Sequence, residues 1–168
     1  MPQLFAQPYD MNANGFYFES IEEYTAKAQA NRNIYGDPVE EYEIQIIDGD
    51  EIDCALAEAW GLYQSSISSY FRAADDWDLN EKQIFIIAVG EVGYQFDPET
   101  VSPADFDVDI YHIETMNDLA QQFVDEGLFG EIPSYLAGYI DMEAIARDLA
   151  MDYTETLIAG EHLIYRAA

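Results

Sequence analysis

The sequence predicts an α+β fold: mixed strand–helix segments at both ends of an elongated chain and a helical middle. Apolar and polar residues alternate over short runs at both ends, which is the period of half-buried strands. Between residues 61 and 103 the apolar residues instead recur at helical spacing. The third observation is charge. Thirty-four acidic residues stand against six basic ones in 168 residues, a formal net charge of −28. Repulsion on that scale opposes compactness and favours an extended shape. The length suffices for one ordinary domain or two to three small ones. The pattern divides as 1–60 (N-terminal, α+β), 61–103 (central, helical) and 104–168 (C-terminal, α+β).

Leu4 to Gln7 and Phe16 to Glu19 read as short strands, with turn chemistry at Asn14-Gly15. Ser20 and Glu23 have capping-box spacing for a helix to about Arg32, with Ile21, Tyr24 and Ala28 on one face. After a loop over residues 33–39, Glu41 to Ile47 alternates as a strand, Tyr42, Ile44 and Ile46 facing one way. Glu51 to Trp60 is a helix ending at Gly61. Gln64 to Ala74 is a second, with Ile67, Tyr70 and Phe71 as its stripe. Asn80 is expected to cap a third, running to about Val89 before Gly90 and Gly93. Gln95 to Pro103 reads as a linker. Phe106 to Ile113 is a strand, and Thr115 caps a helix to about Glu126. A loop over residues 127–133 leads to a short helix, Ser134 to Tyr139. Asp141 caps a longer helix to Met151. Tyr153–Ile158 and His162–Arg166 form a closing hairpin around Gly160-Glu161.

The charge excludes function classes before any motif is considered. A nucleic-acid binder must neutralise phosphates with Lys and Arg, so direct DNA or RNA binding is excluded. An anionic membrane surface is disfavoured for the same reason. No apolar run approaches the roughly 20 residues that span a bilayer, and the first ten residues lack the pattern of a signal peptide. The single Cys54 excludes an intrachain disulfide framework and fits a reducing, cytoplasmic location. The acids are spread along the whole chain rather than gathered in a tail, and no Lys or Arg lies between Arg32 and Arg72 or between Lys82 and Arg147. Most carboxylates therefore lack a sequence-local partner.

No catalytic constellation stands out. His112 and His162 are isolated, Gly90-Glu91-Val92-Gly93 lacks phosphate-loop spacing, and Cys54 reads as a packed small hydrophobe. Calcium-loop readings of Asp105 onward and of Asp48, Asp50 and Asp53 fail, because the required Gly and Glu positions are not filled. No metal or cofactor is expected. What stands out is negative charge on regular elements. Asp105, Asp107 and Asp109 alternate with apolar residues, so a strand would set three carboxylates on one face about 6.6 Å apart. Two phosphate steps of a DNA strand advance about 6.8 Å. At one charge per about 1.7 Å of duplex, an excess of 28 corresponds to about 48 Å of DNA. The loop set Asp48, Asp50 and Asp53 and the helix set Glu143 and Asp148 are further candidates for binding a basic partner. Glu143 can also pair with Arg147 at i, i+4.

Near the C-terminus, Leu136, Tyr139, Asp141, Met142, Glu143, Ala144, Ala146, Arg147, Asp148, Leu149, Asp152 and Tyr153 stand at the spacing of an "L..Y.DYEA.ARDL...DY" signature, with Met142 in place of the usual aromatic. Here the sequence resembles the ArdA-type antirestriction proteins of plasmids, phages and conjugative transposons. Leu4-Phe5-Ala6, Asn12 to Gly15, and Glu41 to Ile44 with Asp48 are weaker matches to that family's first strand, turn and acidic strand. The resemblance implies three small domains in a curved, acidic monomer that pairs into a dimer. It also implies a DNA mimic that occupies the DNA-binding groove of type I restriction–modification enzymes, with methylation as well as cleavage open to inhibition. Tyr135, Leu136, Tyr139, Ile140, Asp141 and Arg147 are the motif and dimer candidates. The alternative is an acidic, non-catalytic interaction or structural protein of a halophile. Salt separates the two: a halophilic protein unfolds at low salt, whereas a mimic stays folded and releases its partner at high salt.

Overall fold

The chain begins with a strand that becomes the centre of a sheet. The computed structural model describes all residues from 1 to 168 and contains six α-helices and two three-stranded antiparallel sheets. In the first sheet β1 (Gln3–Pro8) lies between β2 (Phe16–Phe18) and β3 (Tyr42–Asp48). Leu4 sits opposite Phe18 and, on the other side, Ile46. Leu4, Ala6, Phe18, Tyr42 and Ile44 are buried on one face, as the alternation requires. Gly15 is needed before β2 because a β-carbon there would lie 2.4 Å from the Phe5 ring and 2.6 Å from the Ala6 carbonyl oxygen. Helix α1 (Ile21–Ala30) starts where Ser20 Oγ accepts from the Glu23 N–H at 3.1 Å. The return bond of Glu23 goes one residue early, to the Glu19 N–H at 2.8 Å. Ile21, Tyr24 and Ala28 are its half-buried side and no residue of α1 is fully buried.

Helix α2 (Glu51–Trp60) ends at Gly61, whose φ of 68° is left-handed. A 3₁₀ turn, Gln64–Ser66, leads into α3 (Ile67–Asp76), whose Ile67, Tyr70 and Phe71 are all buried. Helix α4 (Leu79–Phe85) continues as a π-helical stretch, Ile86–Val92, which stops at Gly93. The start of α4 corrects the sequence reading: Asp78 is the cap, not Asn80. Asp78 Oδ1 accepts from the Glu81 N–H at 2.8 Å and Glu81 returns a bond to the Asp78 N–H at 2.9 Å. Asn80 has a Gln three residues on, but Gln83 is buried in the core. The segment Gln95–Pro103 has little regular structure, yet it is pinned. Phe96 packs on Trp60 and Phe85 with ring centroids 5.2 and 4.9 Å away.

Residues 1–106 and 107–168 form two compact units. Within the first unit the segments before and after residue 60 interlock: α2 packs on α4, and Gln64 bonds the backbone of Glu40 and Tyr42. In the second unit β6 (Glu161–Ala167) lies between β4 (Val108–Tyr111) and β5 (Thr154–Ile158). The β5–β6 turn places Ala159 and Gly160 both at positive φ, 49° and 78°, which matches the twist of a tight hairpin. Helix α5 (Met116–Asp125) is capped by Thr115, and α6 (Met142–Leu149) by Asp141, which accepts from the Ala144 N–H at 3.0 Å. Leu119, Phe123 and Ile164 form the core here, with Tyr111, Leu149 and Tyr153 packed against them.

Two expected elements are shorter than read. The strand over residues 106–113 is only Val108–Tyr111, because Ser102-Pro103-Ala104-Asp105 forms its own capped 3₁₀ turn, Asp105 accepting from the Ser102 N–H at 2.9 Å. The helix over residues 134–139 is a 3₁₀ turn, Ala137–Tyr139. The segment holds Gly138 and ends at the Asp141 cap, leaving too few residues to propagate an α-helix.

Candidate partner-binding surface

Six cations cannot neutralise 34 acids, so the question is where each sign lies. Asp48 ends β3 and Asp50 precedes α2; both are exposed. Asp48 Oδ1 accepts from the Gly49 N–H at 2.9 Å, which fixes its direction. Asp53 does not belong with them on the surface. It is only 6% exposed, and its Oδ1 lies 2.7 Å from Lys82 Nζ. Lys82 also donates to the Ala74 carbonyl at 2.7 Å, so this buried pair ties α2 to α3 and α4. The signal was present in the sequence: Asp53, Leu56, Ala57 and Trp60 are all on the buried side of α2, at i, i+3, i+4 and i+7. Its partner lies 29 residues away and has no local signature.

Asp105, Asp107 and Asp109 are all exposed, but they do not share one strand. Asp105 is held in the 3₁₀ turn, Asp107 precedes β4, and Asp109 lies within it, opposite Arg166 of β6. Glu143 and Asp148 are exposed on α6. The i, i+4 pairing of Glu143 with Arg147 is not formed. Both side chains stand in water, where such a pair gains little against its entropy cost.

The C-terminal motif separates into two groups. Asp141 is a helix cap, Ala146 is buried, and Leu149 and Tyr153 pack on the core; Tyr153 meets Tyr111 and Phe123 at 5.9 and 5.7 Å. These residues build the second unit. Tyr135, Leu136 and Tyr139 instead face solvent, Tyr139 being 84% exposed. Leu128 and Phe129, which sequence reasoning left in a loop, are exposed as well. Ile140 lines a groove of about 760 Å³ with Val124, Ala137 and Met142, and Asp125, Glu126 and Glu131 also face it.

Other reactive groups are accounted for. His112 Nδ1 lies 2.8 Å from Glu161 Oε1. Burial pushes the Cys54 thiol up, and the carboxylates of Asp48, Asp53, Glu58 and Asp50 push it further, which disfavours the nucleophilic thiolate. No three His, Cys, Asp or Glu side chains converge where a metal ion could be held. No helix is long and apolar enough to cross a membrane.

This is an α+β protein that carries most of its carboxylates on its surface. The family model described as antirestriction protein (ArdA) matches residues 4–162, and the chain belongs to that family. No curated protein matches it.

Proposed function

We propose that the chain is a DNA-mimicking inhibitor that occupies the basic DNA-binding groove of type I restriction–modification enzymes. Membership of the antirestriction family carries the reading, and the net charge of −28 supplies its physics. A groove built for phosphates holds cations at short spacing. Carboxylates on a folded scaffold take the place of phosphates and gain the same electrostatic term. Asp48, Asp50, Asp105, Asp107, Asp109, Glu143 and Asp148, all exposed, are the acids proposed to face the enzyme. Asp53 is assigned a structural part instead. The reading includes action in the cytoplasm without turnover, and a division of the chain at residues 60 and 103.

The contact is distributed. A single exposed charge contact contributes under about 1 kcal/mol, so one Asp→Asn change lowers inhibition little. Neutralising the 105/107/109 set together weakens inhibition several-fold, through the association rate, and the loss shrinks at high salt. The experiment is inhibition of a type I restriction enzyme, for cleavage and for methylation, by single and clustered variants at two salt concentrations. One neutral substitution that abolished inhibition in a folded protein would sink the distributed mechanism.

The same reading has the protein act as a homodimer through exposed Tyr135, Leu136 and Tyr139, with Ile140 beside them. Aromatic anchors of this kind dominate protein interfaces. Sedimentation of Tyr139→Asp is expected to show a shift toward the monomer mass, and an unchanged dimer would exclude this site.

A further inference from the structure

At one end of the N-terminal sheet two loops meet, residues 9–15 and 31–41, and turn large apolar side chains to water. Met11 is 97% exposed, Ile34 74%, Tyr35 72% and Tyr9 66%. Single exposed apolar residues are ordinary, but a contiguous group on loop tips marks a contact surface. The loops that carry these side chains are laced together. The Ile34 N–H donates to the Asn12 carbonyl at 2.9 Å, and Asn33 Nδ2 donates to Asp10 Oδ2 at 3.0 Å. Asn33 Oδ1 accepts from both the Tyr35 and Asp37 N–H groups, at 3.0 and 2.9 Å. Asp10 Oδ1 closes the other loop by accepting from the Asn12 N–H at 2.8 Å. The Asn33 side chain thus uses a donor and its acceptor to hold an exposed tip in one shape. Such order reduces the entropy cost of a later contact.

The charge around the tip says what fits it. Asp10 and Asp37 border the apolar group. The local cation, Arg32, has its guanidinium directed to the Gln29 and Asn31 carbonyls, both at 2.8 Å. A second copy meeting this one tip to tip would set Asp10 and Asp37 against the same two acids. DNA mimicry also leaves the tip unused, since replacing phosphates requires no Met, Ile or Tyr side chains. We infer that this tip is a second docking surface, for a protein contact with an apolar centre and a basic rim. Resting on the function proposed above, it anchors the inhibitor to the enzyme beside the DNA groove. The carboxylate field sets how fast the complex forms, and the tip sets how long it lasts.

The test is binding kinetics with an intact type I restriction enzyme. The variants are Met11→Ser/Ile34→Ser/Tyr35→Ser and, separately, Asn33→Ala, which unlaces the tip without removing an apolar group. All replaced apolar groups are exposed, so thermal melting of the triple variant is expected to match the parent. The dissociation rate of the triple variant is expected to rise at least tenfold, by the same factor at low and high salt, with the association rate nearly unchanged. Asn33→Ala is expected to raise it by a smaller factor. Unaltered dissociation with both variants, or a loss that scales with salt, overturns the inference while leaving mimicry standing. Failure of the parent chain to bind the enzyme at all removes the mimicry reading and this inference with it. A drop to monomer mass on sedimentation of the triple variant would assign the tip to self-association and also overturn it.

Discussion

Replacing Lys82 by methionine removes the charge opposite Asp53 and keeps most of the side-chain volume. Both side chains are nearly closed to solvent, 11% and 8% exposed, and their charged atoms lie 2.7 Å apart. The substitution leaves a carboxylate in the interior with no counter-charge and strips the Ala74 carbonyl of its side-chain donor. Breaking one side of a buried pair costs about 3–5 kcal/mol. For a unit of this size that corresponds to a fall in melting temperature of about 10–20 °C. The double change Lys82→Met/Asp53→Leu is expected to recover most of it, because two apolar side chains need no counter-charge. Thermal and urea unfolding of the parent, both single variants and the double variant complete the cycle. A loss below about 1 kcal/mol for Lys82→Met would refute the buried pair. An Asp53→Asn variant of parental stability that no longer inhibited restriction would return Asp53 to the binding surface.

Two further predictions concern local structure. Asp78→Ala is expected to destabilise by about 1 kcal/mol in urea unfolding, through loss of the α4 cap, whereas Asn80→Ala is expected to be neutral or slightly stabilising inside the helix. The Asn33 side-chain amide, and then the Asn12 backbone N–H, hold the Asp10 carboxyl below its ordinary value of 3.8. Its contribution is therefore complete above that value and is lost as the pH falls through the lower folded one. The protection factor of the Asn12 amide, its exchange rate corrected for the intrinsic pH dependence, is expected to fall over that acid window in the parent and to stay level there in Asp10→Asn.

The elements that could be read from the sequence are those whose signal is local. The alternation of Tyr42, Ile44 and Ile46 needs only the two-residue period, and the stripe of Ile67, Tyr70 and Phe71 only the helical one. Ser20, Thr115 and Asp141 cap as expected because each has its N–H partner three residues on. Errors arose where two local signals competed. Asp78 and Asn80 both have capping chemistry, and burial of Gln83 decides between them. Asp105 fits a strand alternation and also closes the Ser102 turn, and the turn prevails because Pro103 favours a first helical position. The exposure of the candidate acids was legible, since a carboxylate outside a core stripe is placed on the surface. Asp53 lay inside such a stripe. The apolar tip was not legible, because the loops that carry Met11 and Tyr35 are joined only by hydrogen bonds between residues distant in sequence.

The few cations show how a chain this acidic keeps its fold and its field together. Lys27 donates to the Tyr17 carbonyl at 2.7 Å and to Glu23 at 2.6 Å, joining α1 to β2. Lys82 joins three helices, Arg32 holds the carbonyls at the end of α1, and the Arg166 guanidinium lies 5.9 Å from the centre of the Tyr153 ring. In these four of the six cases the positive group meets a backbone oxygen, a carboxylate or a ring of its own fold. Two consequences follow from this placement. Carbonyl and ring contacts stabilise the fold without neutralising an acid. Two acids meet a lysine: Asp53, which is withdrawn from solvent, and Glu23, which is paired within one helix by Lys27 and stays partly exposed. The exposed carboxylates are left largely unscreened by the protein itself. Their repulsion must then be offset by the two cores, and in the proposed complex the cations of a basic groove would relieve it. The same imbalance that strains the free protein would thus favour the complex proposed for it.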